Sequence, residues 1–165
     1  MSPIAAPEQK RTDRITVVRS LARHLGEAGV RWALQGTPSA LPDWLAADDG
    51  KDLDLWVASD GLAKAEAVLA SAGGVRIAFA DDPRRLRHST WWLDVGGRAA
   101  VVDLTVGALA VGPVVLCPEE QITTATRLDI VLGVIPVLSG AAGAMDLVAR
   151  PLLRGRIPET ARLQR

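Results

Sequence analysis

The sequence predicts an α+β domain: a mixed, largely antiparallel sheet of about five strands flanked by helices, with a helical C-terminal segment. Three observations carry this. Apolar residues recur at helical spacing near the N-terminus and again after residue 60. Short β-rich runs at 30–36, 52–58, 75–80, 88–95 and 99–106 are separated by turn residues. Hydrophobic residues make up 48% of a 165-residue chain, enough for a real core.

Taken in order, residues 1–11 read as a lead-in. Thr12 or Asp13 caps a helix to about Ala28, with Ile15, Val18, Leu21, Ala22 and Leu25 on one face and Gly29 as its stop. VRWALQG (30–36) is a strand ending in glycine, and 37–50 is a loop with two prolines and a terminal Asp-Gly turn signal. DLDLWVA (52–58) is the next strand. Asp60 caps a helix that stops at Gly73-Gly74, and VRIAFA (75–80) follows as a strand. HSTWWLDV and AAVVDLTV, joined by glycines, form a hairpin. VVLC (114–117) is one more short strand, and Pro118 with Glu119 and Glu120 opens a helix. These signals divide the chain into an α/β domain over 1–116 and a helical C-terminal extension over 117–165 packed on it.

Charge and composition narrow the partners. Lys plus Arg and Asp plus Glu are both 19, so no basic field gathers nucleic acid or an anionic membrane surface. Cys117 is the sole cysteine and His24 and His88 the sole histidines, which argues against a disulfide framework or a Cys/His zinc site. The uncharged run Ile130–Met145 is 16 residues and contains three glycines and a proline. It falls short of the roughly 18–20 apolar residues that span a bilayer. No secretory leader is read at the N-terminus, and a cytoplasmic setting is expected. The apolar 130–148 segment is read as either core or an interface of a homo-oligomer.

The unusual feature is KDLDLWV, residues 51–57. Strand alternation puts Asp52, Asp54 and Trp56 on one face and Leu53, Leu55 and Val57 on the other. In AAVVDLTV, Asp103 sits inside another apolar strand with Val101 and Thr105 on its face. Buried carboxylates cost free energy and adjacent ones repel, so three on neighbouring strands make sense around a divalent cation. Mg²⁺, or Mn²⁺, takes hard oxygen ligands and is typically held by carboxylates together with substrate phosphates. Gly36, ending the first strand, allows close backbone approach to a phosphate, and the Thr37 hydroxyl can donate to one.

In this order, LQGT (34–37), DLDL (52–55) and VVDL (101–104) resemble the polymerase-β-like nucleotidyltransferase superfamily, and most closely its small bacterial members. The resemblance covers roughly residues 15–106. It implies the nucleotidyltransferase fold and an enzyme that moves a nucleoside monophosphate from an NTP such as ATP to a small-molecule, peptide or protein acceptor, releasing pyrophosphate. It implies that Asp52, Asp54 and Asp103 are the catalytic, metal-binding carboxylates, with Asp103 helping to activate the acceptor. Gly36 and Thr37 would hold phosphates. Thr37 stands where serine is common. Lys51 stands where a small polar residue often precedes the aspartate pair, and is read as a phosphate contact or a solvated loop residue.

Two other functions compete. One is a non-catalytic binding module of the same fold, or an antitoxin-like partner protein. The other is a metal-dependent glycosyl or phosphoryl transferase using a nucleotide substrate. Trp56, Trp91 and Trp92 are read chiefly as core residues, with base stacking the less favoured role. His88 is read as structural rather than as a general base, and Cys117 as a small buried residue.

Overall fold

The computed structural model describes residues 14–35, 52–80, 87–94, 99–111, 113–122, 126–130, 133–138 and 140–153. Helix α1 (Arg14–Glu27) is followed by strands β1 (Trp32–Leu34) and β2 (Leu53–Val57). A 3₁₀ turn (Ser59–Gly61) leads into α2 (Leu62–Ser71), then β3 (Val75–Ala80), β4 (Arg87–Asp94) and β5 (Ala99–Val106). A small hairpin of β6 (Leu109–Val111) and β7 (Val114–Cys117) precedes α3 (Glu119–Ile122), β8 (Thr126–Ile130), β9 (Gly133–Val137) and α4 (Gly140–Leu153). The main sheet has seven strands in the order β3-β4-β5-β2-β1-β9-β8. β2–β5 and β1–β9 are parallel and the remaining pairs antiparallel. No helix among the described residues is long and apolar enough to cross a membrane.

One face of the sheet is covered by α1 and α2. Val17, Val18, Leu21 and Leu25 of α1, and Leu62, Ala65 and Leu69 of α2, pack on Leu34, Leu53, Leu55, Val57, Val102, Leu104, Val106, Trp91 and Leu93. Each large apolar side chain buried here contributes about 1.5–3 kcal/mol. Both helices end in the same way. Gly29 and Gly73 take φ values of +64° and +81°. Val30 N donates to Leu25 O and Gly29 N to Gly26 O, while Gly74 N donates to Leu69 O and Gly73 N to Ala70 O. These paired 6→1 and 5→2 bonds cap each helix and turn the chain straight into β1 and β3. The expected stop glycines do this work.

The other face carries a second, partial layer built from the β6–β7 hairpin and α4. Trp56, 1% exposed, lies beneath it among Ala33, Ala58, Leu109, Cys117, Leu138 and Ala142. Its indole Nε1 donates to Gly107 O at 2.7 Å. Trp56 and Trp91 are therefore core residues, while Trp92 is partly exposed.

The structure departs from the sequence reading at three places. The 117–165 segment is not all helical in its described residues: between the single turn of α3 and the helix α4 it supplies β8 and β9 to the main sheet. Its β-branched residues, Ile130, Val131, Val134, Ile135 and Val137, favour strands, and Gly133 interrupts a helix. The sheet accordingly has seven strands rather than five. Ile135, Val137, Leu138 and Ala142 of the apolar segment are buried in the core, while Met145 is exposed. Asp60 does not cap α2, since no side chain caps that N-terminus; it accepts from Arg31 Nη2 at 3.0 Å instead.

Two glycines give opposite expectations. Gly26 lies within α1 with nothing within 4 Å of an added Cβ, so Gly26→Ala should stabilise the fold by about 0.5–1 kcal/mol. At Gly74 an added Cβ would sit 2.7 Å from Leu69 O, so Gly74→Ala should cost about 1–3 kcal/mol of overpacking. Urea denaturation of both variants checks the two signs together.

Candidate active site

The site follows from register. β2 and β5 run side by side with Asp54 opposite Asp103, and β5 pairs with β4 so that Asp103 faces Thr90. On the other flank, Gln35 N donates to Asp54 O at 2.9 Å, continuing the β1–β2 ladder by one residue. Gln35, Asp54, Asp103 and Thr90 thus form one transverse polar row across four strands, on the face away from α1 and α2. The next row holds Ala33, Trp56, Thr105 and His88. Here Thr105 Oγ1 donates to Gln35 Oε1 at 3.5 Å, reaching across β2.

Burial grades along this face. Trp56 and Thr105 are buried, Asp54, Asp103, Thr90 and His88 half-buried, and Asp52, just before β2, exposed. The aspartates therefore sit where the cover of the second layer gives out. Two atoms of the row are buried without a hydrogen-bond partner, Asp103 Oδ1 and Gln35 Nε2. A buried acceptor left so can be satisfied by an ordered water, a ligand or an ion.

The sequence-predicted residues divide accordingly. Asp54 and Asp103 are brought together on adjacent strands. Asp52 shares their face by alternation, one row further on. Among the described residues, no three His, Cys, Asp or Glu side chains stand close enough to hold a metal ion. The pair itself fits a hard cation: adjacent carboxylates repel each other, and Asp103 Oδ1 lacks a donor. Gly36, Thr37 and Lys51 lie outside the described residues. Gln35 was not singled out by sequence; the signal is a polar residue at the inward end of an apolar strand, directly before Gly36.

Glu119 and Cys117 lie elsewhere and do other work. Glu119 accepts from Ser59 N at 3.1 Å and Ser59 Oγ at 2.6 Å, and pairs with Arg31 at 3.5 Å, tying α3 to the end of β2. Burial pushes the Cys117 thiol above its ordinary value of 9.0, which keeps it protonated and unreactive near neutral pH.

No family model matches the sequence, and no curated protein matches it either. Solved structures do. A nucleotidyltransferase candidate from Thermotoga maritima superposes with a TM-score of 0.56 at 17% identity, over 80% of this chain and 83% of that one. The antibiotic-resistance factor ANT(2'')-Ia, determined in solution, gives 0.58 at 16% identity, over 84% of this chain and 71% of its own. Its crystal structure in complex with adenylyl-2''-tobramycin gives 0.59 at 15%, over 84% and 76%.

Two measurements test the local physics. Without a cation, like charges set opposite each other destabilise a sheet by roughly 0.2–1 kcal/mol. Asp103→Asn should therefore raise the denaturation midpoint in EDTA, as read by urea titration. Cys117 should react with maleimide at pH 8 only as the chain unfolds, and its burial should cost stability above pH 9. There the unfolded chain sheds the thiol proton that the folded chain holds, so the contribution is present below that pH and lost above it.

By its likeness to these solved structures, the chain has the polymerase-β-like nucleotidyltransferase fold.

Proposed function

We propose that this protein is an Mg²⁺-dependent nucleotidyltransferase, able to use Mn²⁺, that moves a nucleoside monophosphate from an NTP to a small-molecule, peptide or protein acceptor. The observation that carries the proposal is the Asp54–Asp103 pair, set side by side by the β2–β5 register with one buried carboxylate oxygen unpartnered. The neighbour bound to adenylyl-2''-tobramycin favours a small-molecule acceptor within that range. The neutral charge balance argues against nucleic acid.

Asp54 and Asp103 would hold the cation, with Asp52 as the third carboxylate. When bound, the cation neutralises charge on the phosphates and on the leaving group. Gly36 follows Gln35 in the chain and Lys51 precedes Asp52, so the residues assigned to phosphate adjoin one end of the row and the third carboxylate in sequence. Asp103 accepts the proton of the acceptor hydroxyl. The acceptor oxygen bonds to the α-phosphorus as the bond to the α,β-bridging oxygen breaks, and pyrophosphate leaves with that electron pair. A cytoplasmic setting suits this chemistry, where NTPs and Mg²⁺ are both abundant.

A second reading rests on Asp52 standing apart from the pair: a module of this fold that binds nucleotide without turnover. Product mass separates the two. Incubated with each NTP, Mg²⁺ and a panel of hydroxylated acceptors, the wild type should add a nucleoside monophosphate. Asp54→Asn and Asp103→Asn should each lower that rate by more than about 100-fold, beyond the usual cost of substitutions one shell out from a metal. Cation-dependent nucleotide binding without product supports the module, and an added hexose in a parallel incubation with a nucleotide-sugar donor supports a glycosyltransferase. Variants as active as wild type would sink the proposed site.

A further inference from the structure

We infer that Gln35 is a positioning residue for the aspartate pair, its side-chain amide donating to the Asp103 carboxylate when a cation is bound, with Thr105 holding the far end of the amide. The inference rests on the proposed cation site and adds a residue outside the motif residues assigned to it. Gln35 is 7% exposed and stands in the same transverse row as Asp54 and Asp103. Its Oε1 accepts from Thr105 Oγ1 at 3.5 Å across β2, which leaves Nε2 as the unused end. Nε2 is a buried donor without a partner, and Asp103 Oδ1 is a buried acceptor without one.

The two unsatisfied atoms are complementary, and both belong to the same polar patch. The amide orientation is also the one electrostatics selects, since the positive NH₂ end belongs near two carboxylates and the carbonyl end near a hydroxyl. An unpaired buried polar atom costs about 1–3 kcal/mol. Pairing the two removes both penalties at once, and a rotation about the terminal amide torsion, which is broad, is the cheapest way to do it. A cation held by the carboxylate's other oxygen would fix Oδ1 as the acceptor. Trp56 and Thr105 are buried, so a bond formed beside them is stronger than one in water. Ligating carboxylates are commonly held in this way, and removing the holding group lowers metal affinity by about 10–100-fold.

A structural role and a positioning role predict opposite results for Gln35→Leu. If Gln35 only supports the fold, the variant melts lower and binds cation as the wild type does. If it positions Asp103, loss of a buried unpaired amide leaves the cation-free melting temperature unchanged or higher. Mn²⁺ affinity then falls about 10-fold or more, read by paramagnetic resonance of free Mn²⁺ and by the loss of Mn²⁺-induced thermal stabilisation. Unchanged affinity in Gln35→Leu overturns the positioning role. Asp103→Asn serves as the control: unchanged Mn²⁺ affinity there overturns the cation site itself, a different failure. Should Gln35→Leu not fold, Thr105→Val frees the amide without changing volume, and its affinity should fall between wild type and Asp103→Asn. An affinity equal to wild type overturns the inference in that variant too.

Discussion

The parallel pairing of β2 with β5 is the constraint on which the rest depends. It lies at the centre of the sheet, joining the β3-β4-β5 side to the β2-β1-β9-β8 side. Its register places Leu53, Leu55 and Val57 against Val102, Leu104 and Val106 on the helical face. The same register necessarily places Asp54 against Asp103 on the opposite face. A slip of one residue would send the aspartates among the core leucines and the leucines out to solvent, at a cost of several side-chain burials. The core therefore holds the carboxylates together, although nothing about their own charge favours the approach.

The two faces of the sheet consequently serve different ends. α1 and α2 cover one face over β9, β1, β2, β5 and β4, with tight glycine turns feeding β1 and β3. Among the described residues, the second layer covers the other face around Trp56, which is pinned to Gly107 O. Gly107 is well suited to that place: it takes φ +78°, and an added Cβ would meet Ser59 Oγ at 2.7 Å. Covering the Trp56 row dries one side of the aspartate row, while the other side stays half-open. Such a boundary is where a carboxylate pair interacts strongly with a cation and still admits a substrate.

Much of the central sheet was legible because it rests on short periods. Alternation in DLDLWV and AAVVDLTV separated aspartates from leucines, and the glycine-joined hairpin of β4 and β5 followed from local turn chemistry. The positions of Gly29 and Gly73 marked helix ends that the structure keeps. What escaped depends on distant partners. The run 126–137 is ambiguous in sequence, and the pairing of β9 with β1 and with β8 settles its two described stretches as strands. Asp60 looked like a cap until Arg31, 29 residues away in sequence, claimed its carboxylate. Gln35 carried no pattern of its own. Its meaning comes from Thr105, 70 residues on, and from Asp54 across the ladder.

The likeness to solved nucleotidyltransferases, at 15–17% identity, speaks for the fold alone. What the chain does is argued from the polar row. A sheet whose neighbouring positions are filled by Val, Leu and Trp could have been packed with apolar residues there as well. Instead it keeps two like charges in register, one carboxylate oxygen without a donor and one amide without an acceptor. Each of these is unfavourable in the isolated chain, and they share one patch of one face. On the proposed reading, a cation would resolve the first two, and a rotated Gln35 would resolve the third together with the second. Unfavourable terms that a single ligand relieves together are the mark of a site whose folded energy is completed by binding.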